Sequence, residues 1–181
     1  MGNLFRSAIG ELYLGWYDSI VQGRPEGIAR MQQAIVDFRL VGFRTNLSYF
    51  LSMLAQVQSH FGQREEALVS IDEALAVVEE TNARAFEAEV HRTKGELLLA
   101  NGSSNAMHAE QSFRTAIEVA RRLKAKGWQL RATTSLARLL RDTNRRGEAR
   151  AMLGGIYDWF TEGFDTADLK DAKALLEELG D

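Results

Sequence analysis

Apolar side chains return along this chain at intervals of three and four residues almost from end to end. Ala67, Ile71, Ala74, Leu75 and Val78 stand at i, i+4, i+7, i+8 and i+11. Phe113, Ala116, Ile117 and Ala120 keep the same spacing, as do Leu136, Leu139 and Leu140. Such positions share one side of a helix, the stripe by which an amphipathic helix packs on its neighbours. Short polar or glycine-bearing segments interrupt the pattern at Gln22-Gly23-Arg24-Pro25, Phe61-Gly62-Gln63-Arg64, Asn101 to Asn105 and Thr143 to Gly147. The pattern predicts about eight helices in antiparallel pairs and one more at the C-terminus. Pro25, the single proline, suits the first turn of a helix, and turn signals are too sparse for a sheet-rich fold.

Comparing the chain with itself exposes a period. The run Glu65-Glu66-Ala67-Leu68-Val69-Ser70-Ile71-Asp72-Glu73-Ala74-Leu75 aligns with Pro25 to Ile35, with Ala109 to Ile117, and with Glu148 to Leu153. A small residue opens each copy: Gly27, Ala67, Ala109 and Ala149, spaced 40, 42 and 40. The preceding helices carry a second series, Gly15, Ala55, Gly95 and Ala137, spaced 40, 40 and 42. Antiparallel helices approach closely where one side chain is Gly or Ala and a bulky neighbour fills the gap. A glycine inside a helix costs about 1 kcal/mol against alanine, which close packing would offset. Stacked pairs bury the stripes that a single pair leaves open.

These residues resemble the tetratricopeptide repeat, a small residue and a glycine-bearing turn followed by Glu-Glu-Ala-x3-Ile-x2-Ala-Leu. The period is 40–42 rather than 34, and the usual proline between repeats is missing. HEAT-like pairs share the longer period, while the twin small-residue series favours tetratricopeptide-like packing. The expected fold is all-α, a right-handed α-solenoid of about four tetratricopeptide-like helix pairs with a C-terminal capping helix. The chain reads as one domain, 1–181, with repeats near 2–42, 43–82, 83–126 and 127–160 and the capping helix near 165–180. Asp165 or Thr166 would start that helix, with Asp168 completing a capping box. Leu169, Ala172, Leu175, Leu176 and Leu179 would form its apolar face, seated by Trp159, Phe160 and Phe164.

Trp128 to Leu139, Ile156 to Lys170 with Ala174 to Leu179, and more loosely His91 to Leu98 are similar to the C-terminal array of a family of large bacterial proteins. These are the adenylate/guanylate-cyclase-like and predicted-ATPase signalling proteins. The resemblance implies a regulatory array whose catalytic parts lie upstream. No phosphate-binding Gly-x4-Gly-Lys-Ser/Thr loop and no cyclase metal-carboxylate region occurs in this chain.

Composition narrows the chemistry. Without cysteine there is no disulfide framework, thiol catalysis or Cys-ligated zinc. His60, His91 and His108 lie far apart, none with a partner at i+3 or i+4, so neither a metal nor any other cofactor is expected. No hydrolase, zincin or dinucleotide motif occurs, and no enzymatic activity is expected of this chain. No apolar run is long enough to span a bilayer, no leader pattern opens the chain, and Arg6 stands where myristoylation wants Ser or Thr; a soluble, cytoplasmic protein is expected.

Charge is uneven. The net charge is −3, but residues 121–150 carry a balance of +8 and residues 151–181 one of −6. On a helix Arg131, Arg138, Arg141 and Arg145 share a stripe with Thr134 among them, roughly opposite Trp128, Leu136 and Leu139. The expectation is a solvated face neutralised in part by the acidic last helix, with an acidic ligand as the sharper reading. Nucleic acid is disfavoured, since no aromatics are interleaved for base stacking.

In tetratricopeptide arrays the first helix of each pair lines a concave groove. The resemblance therefore implies groove positions at Tyr49, Ser52 and Gln56, at Glu89, Arg92 and Glu96, and at Arg131, Thr134 and Arg138, with Arg141 beyond them. This mixture lacks a basic clamp for a peptide carboxylate. The function expected is a non-enzymatic interaction, scaffolding or sensory module whose partner is a protein or peptide, including upstream domains of the same polypeptide. The alternatives are a small-molecule-sensing solenoid, with Tyr49, Gln56, Arg92 and Arg131 orienting the ligand, or a self-association module. In the last case Leu4, Ile9, Leu12, Leu14, Trp16 and Tyr17 would pair two first helices in a homodimer. Trp16, Trp128 and Trp159 are expected to serve packing.

Overall fold

The computed structural model describes residues 2–180, with side chains from Phe5 onward. Nine α-helices lie among the described residues: α1 (Gly2–Ile20), α2 (Glu26–Leu40), α3 (Leu47–His60), α4 (Arg64–Thr81), α5 (Glu87–Ala100), α6 (Ala106–Arg122), α7 (Lys126–Asp142), α8 (Arg146–Tyr157) and α9 (Ala167–Gly180). Single 3-10 turns at Arg84–Phe86 and Ser103–Asn105 lead into α5 and α6. α1 packs along α2, α3 along α4, α5 along α6, and α7 against both α6 and α8, and each pair stacks on the next. The odd-numbered helices also touch in succession from α1 to α9, so they form the tighter, inner layer of the solenoid.

Both small-residue series lie inside these pairs. A Cβ on Gly27 would collide with the Gly15 carbonyl oxygen and Ser19 Oγ. A Cβ on Gly15 would stand 2.7 Å from the Gly27 carbonyl oxygen and 2.8 Å from Met31 Cγ. One on Gly95 would sit 2.7 Å from Phe113 Cδ1 and 2.8 Å from its Cζ. The helices thus pack backbone to backbone in the first pair and backbone to ring in the third. Ala55 and Ala137 hold the same register position and are fully buried, with the smaller Ile71 and Leu153 where Met31 and Phe113 stand. The series is a size code: glycine accompanies the longest partners and alanine the branched aliphatics.

The turns share a second device. After α3, Gly62 takes a left-handed φ of +78°, and its N–H and that of Gln63 donate to Ser59 and Gln58 carbonyls at 3.0 and 2.9 Å. These bonds satisfy carbonyls that the helix end leaves open. After α6 the same pattern is made by Lys124 at φ +55°, which no sequence signal announces.

The interior is not one continuous apolar mass. One buried block runs from Ala8 and Leu12 through Phe38, Phe50 and Ile71 to Val90 and Leu97. A second gathers Phe113, Leu130, Leu136, Leu140 and Leu153 with Leu169, Ala172, Leu175 and Leu179. Between them the α5 side of the inner layer is polar. Thr93 Oγ1 lies 3.3 Å from Ser52 Oγ and accepts from Gln56 Nε2 at 2.9 Å, while Arg92 reaches Glu89, Glu96 and Ser135.

The last helix departs from expectation in its anchors. Leu169, Ala172, Leu175 and Leu179 are buried as the stripe requires. Trp159 and Phe164 are 56% and 47% exposed and do not seat it; Phe160 alone of the three packs on the core. Trp159 instead lies under the Lys126 ammonium, 5.3 Å from the ring centre. The capping box does not form, because the Thr166 hydroxyl donates to the Gly163 carbonyl at 2.7 Å and Asp168 faces Arg131.

Arg145 leaves the arginine stripe, because α7 ends at Asp142 and the helical register stops there. It sits on the outer side, donating to Glu110 and Glu148, each at 2.7 Å, while Arg114 reaches the same two carboxylates at 2.7 and 2.8 Å. Bonding to Arg145 first, and to Arg114, holds the Glu110 carboxyl below its ordinary range; Arg114 first, then Arg145, does the same for Glu148. A carboxyl that is more acidic folded than unfolded adds stability above its unfolded pKa, and that stability disappears as pH falls through the folded value. Resistance to urea is therefore expected to fall below the ordinary carboxylate pKa of 4.5, and Glu110→Gln to lower the neutral plateau toward the acid value and so flatten that acid limb. Equal acid slopes in the two proteins would show that the cluster adds nothing. Molar salt is expected to shrink the difference, since these groups are partly solvated.

Candidate functional site

The inner layer presents three rows of side chains in repeat register. Tyr49, Glu89 and Arg131 form one row, Ser52, Arg92 and Thr134 the next, and Gln56, Glu96 and Arg138 the third. The structure separates them. The middle row sinks toward the seams between helices, with Arg92 and Thr134 still reaching the polar end of the groove: Ser52 is 0% exposed, Thr134 4% and Arg92 7%. Ser52 is tied to Thr93, and the Thr134 hydroxyl donates back to the Leu130 carbonyl at 2.9 Å. The outer two rows border the groove, with Glu89 covered beneath Arg92 and Arg131.

A cleft of about 310 Å³ crosses four consecutive odd-numbered helices. Its walls are Tyr13 and Trp16 from α1, Tyr49, Met53 and Gln56 from α3, Glu89 from α5 and Arg131 from α7. A smaller, polar cleft continues past Arg131, lined by Arg92, Glu96, Thr134, Ser135, Arg138, Asp168 and Asp171. Arg131 belongs to both, so the two form one track along the inner layer. Tyr13 and Trp16 were not among the residues that the sequence nominated for the groove. The signal for them was present, since they stand 40 residues before Met53 and Gln56.

The apolar end of the track is stiff. The Tyr49 ring stacks on Phe86 at 4.6 Å, and Phe86 meets Trp128 edge-on at 6.4 Å. The Arg131 guanidinium lies over Trp128, 5.2 Å from the ring centre. Trp128 is therefore beside the arginine stripe and not opposite it, because residues three apart on a helix are neighbours. Burial first, then the Tyr13 hydroxyl and Glu89, push the Tyr49 phenol above its ordinary pKa, so it remains a neutral donor.

The polar end is internally neutralised. Glu89 accepts two hydrogen bonds from Arg92, at 2.6 and 2.8 Å, and forms an ion pair with Arg131 at 3.1 Å. Arg92 also bonds Glu96, whose carboxylate accepts from Ser135 at 3.1 Å. Burial works against the Arg92 charge, but the Glu89 and Glu96 carboxylates outweigh it and hold the guanidinium above its ordinary pKa. Arg138 pairs with Asp171, and Arg141 with Glu178 at 2.9 Å and Asp142 at 2.8 Å. The acidic last helix thus meets the arginine face.

The three histidines are not brought together. His60 packs edge-on against Phe61, His91 is held by burial below its ordinary pKa, and His108 lies in the first turn of α6. Among the described residues no group of three or more His, Cys, Asp or Glu could hold a metal ion, and no helix is long and apolar enough to cross a membrane.

No family model matches the chain. An uncharacterized protein of Rhizobium meliloti (strain 1021) is 29% identical over 128 residues, which is 71% of this chain. The matched stretch is 12% of that protein's length, so the chain spans a small part of its longer relative. Two crystal structures of Podosopora anserina proteins described as kinesin light chain with nearly identical TPR-like repeats are similar in fold. Their TM-scores are 0.75 and 0.74 at 13% identity, covering 99% of this chain and 87% of theirs. The chain is thus a TPR-like helical repeat solenoid.

Proposed function

We propose that this chain is a non-catalytic interaction array within a larger signalling protein, and that an extended peptide segment of its partner lies along the inner track. The observation that carries this reading is the cleft itself: four successive repeats each contribute a side chain to one continuous channel. Repeat solenoids supply such elongated concave surface without catalytic groups. The resemblance of Trp128 to Leu139 and of Ile156 to Lys170 to bacterial regulatory arrays supports placing the partner among signalling domains, including domains of the same polypeptide.

The track also indicates the kind of peptide. Its arginines are already paired with Glu89, Glu96, Asp168 and Asp171, so a carboxylate ligand would have to displace a carboxylate already in place. The unsatisfied part is the aromatic end. A bulky apolar or aromatic side chain fits between Tyr13, Trp16, Tyr49 and Met53, with Gln56 beside it to bond the peptide backbone. Aromatic anchors of this kind carry most of the energy in many interfaces.

A randomised peptide library selected on the chain is expected to enrich an aromatic or large aliphatic anchor. Tyr49→Ala and Trp16→Ala are each expected to weaken the selected peptide at least about tenfold. Arg141→Ala, removed from the cleft and paired with Glu178, is expected to leave the affinity unchanged. Loss of affinity in Arg141→Ala with none in Tyr49→Ala would refute the groove. A cleft near 310 Å³ is also at the lower end of small-ligand pockets, about 300–1,000 Å³. A metabolite that raises the melting temperature where no peptide binds would favour the sensor reading instead.

A further inference from the structure

A third cleft, of about 390 Å³, opens beside the apolar end of the track. It shares Gln56 with that end and Glu96 with the polar end. Ile20, His60 and Ala100, the last residues of α1, α3 and α5, line it together. Three parallel helices therefore end at one cleft, and each C-terminus carries a partial negative charge. Neither α1 nor α5 has a basic residue in its last turn, and α3 has only His60 there. Among the described residues the walls of this cleft hold no arginine or lysine, whereas Arg131 stands in both clefts of the track.

Glu96 adds a full negative charge. Its Oε1 accepts from Arg92 and from Ser135, and its Oε2 meets no donor among the described residues. The side chain is 43% exposed, so a ligand can reach that oxygen. Beside it Ile20, Leu97 and Ala100 form an apolar strip. Such a strip, ending in negative potential, suits an amphipathic cation whose methylenes cover the strip while its head stays at the polar rim. Of the α1 residues that the sequence set aside for self-pairing, Leu12 is buried and Ile9 and Trp16 are half-buried against the core. Leu14 and Tyr17 are exposed, and the Leu4 side chain lies outside the described residues. The residues that α1 gives to the groove are Tyr13, Trp16 and Ile20.

We propose, on the reading that the groove holds a peptide, that this cleft takes a lysine side chain of the same peptide. Its methylenes lie on Ile20, Leu97 and Ala100, and its ammonium meets Glu96 Oε2 and the three helix ends. The two side-chain sites are five to six residues apart along α1 and α3, about 8–9 Å at 1.5 Å per residue. Three residues of polyproline II advance about 9 Å and return a side chain to the same face. The peptide therefore carries its lysine three positions from its aromatic anchor, with Gln56 between the two sites.

The randomised library selected on the chain is expected to enrich lysine three positions from the aromatic anchor, on one side only. Replacing that lysine by norleucine, which keeps the methylenes, is expected to weaken binding about tenfold at low salt. Molar salt should shrink the difference. Glu96→Gln keeps an acceptor for Arg92, and it is expected to remove the preference for lysine over norleucine while sparing the norleucine peptide. Ala100→Lys puts an ammonium in the cleft at the end of α5, where a helix tolerates it well, and should abolish the preference too. Selected peptides with an aromatic anchor but no lysine at that spacing overturn the inference and leave the groove reading standing. So does a lysine preference that survives both substitutions. If no peptide is selected at all, the groove reading falls and this inference with it.

Discussion

Gly27→Ala is expected to destabilise the chain by about 2–3 kcal/mol, although alanine is the better helix former by up to ~1 kcal/mol. The added methyl would run into the Gly15 carbonyl and Ser19 Oγ, and the first of these is backbone. A flexible side chain could rotate away; a carbonyl can retreat only if α1 and α2 move apart along their length. That separation would loosen Leu12, Met31 and Ile35, all buried at the same interface. Gly155→Ala serves as the control: its Cβ meets nothing, and the same substitution there is expected to gain roughly 0.5–1 kcal/mol. Urea midpoints decide the matter. If both variants shift in the same direction, close approach at Gly27 is not what selects glycine.

The second large effect belongs to Arg92. Arg92→Met would leave Glu89, 3% exposed, with Arg131 as its remaining cationic contact. Removing one partner of a buried ion pair strands the other charge in a poorly solvating site, at a cost of roughly 3 kcal/mol. The double variant Glu89→Leu with Arg92→Met is expected to recover most of that loss, because Arg131 is partly solvated and tolerates losing one acid. Denaturation of the two singles and the double gives the coupling directly. A neutral Arg92→Met would mean that water already reaches Glu89.

The fold was legible because its signals repeat. Helical periodicity, the glycine-bearing breaks and two small-residue series all report the same period, and each follows from close packing of hairpins. The site was legible only in part. Register alone places Ser52, Arg92 and Thr134 beside the groove, but a helix turns through about 300° in three residues, which carries Ser52 into the seam with Thr93 while Arg92 and Thr134 still line the polar cleft. Trp128 was misplaced for the same geometric reason. Arg145 could be put on the stripe only by extending α7 across Thr143 and Asn144, the break already visible in the sequence. What no pattern revealed is pairing. That Asp168 and Asp171 neutralise Arg131 and Arg138 depends on how α9 crosses α7, which is a property of the assembled molecule.

The polar layer on α5 gives the array a mechanical character. Two oil-like blocks, each cohesive within itself, are joined along the inner surface by hydrogen bonds and ion pairs that water can also satisfy. The outer side of this joint is tight, where Gly95 of α5 packs on the Phe113 ring of α6, so any give is confined to the inner surface. A peptide held between Tyr49 and Arg131 would bridge the joint and splint it, so that occupancy of the groove is felt at both ends of the molecule without any helix changing its fold.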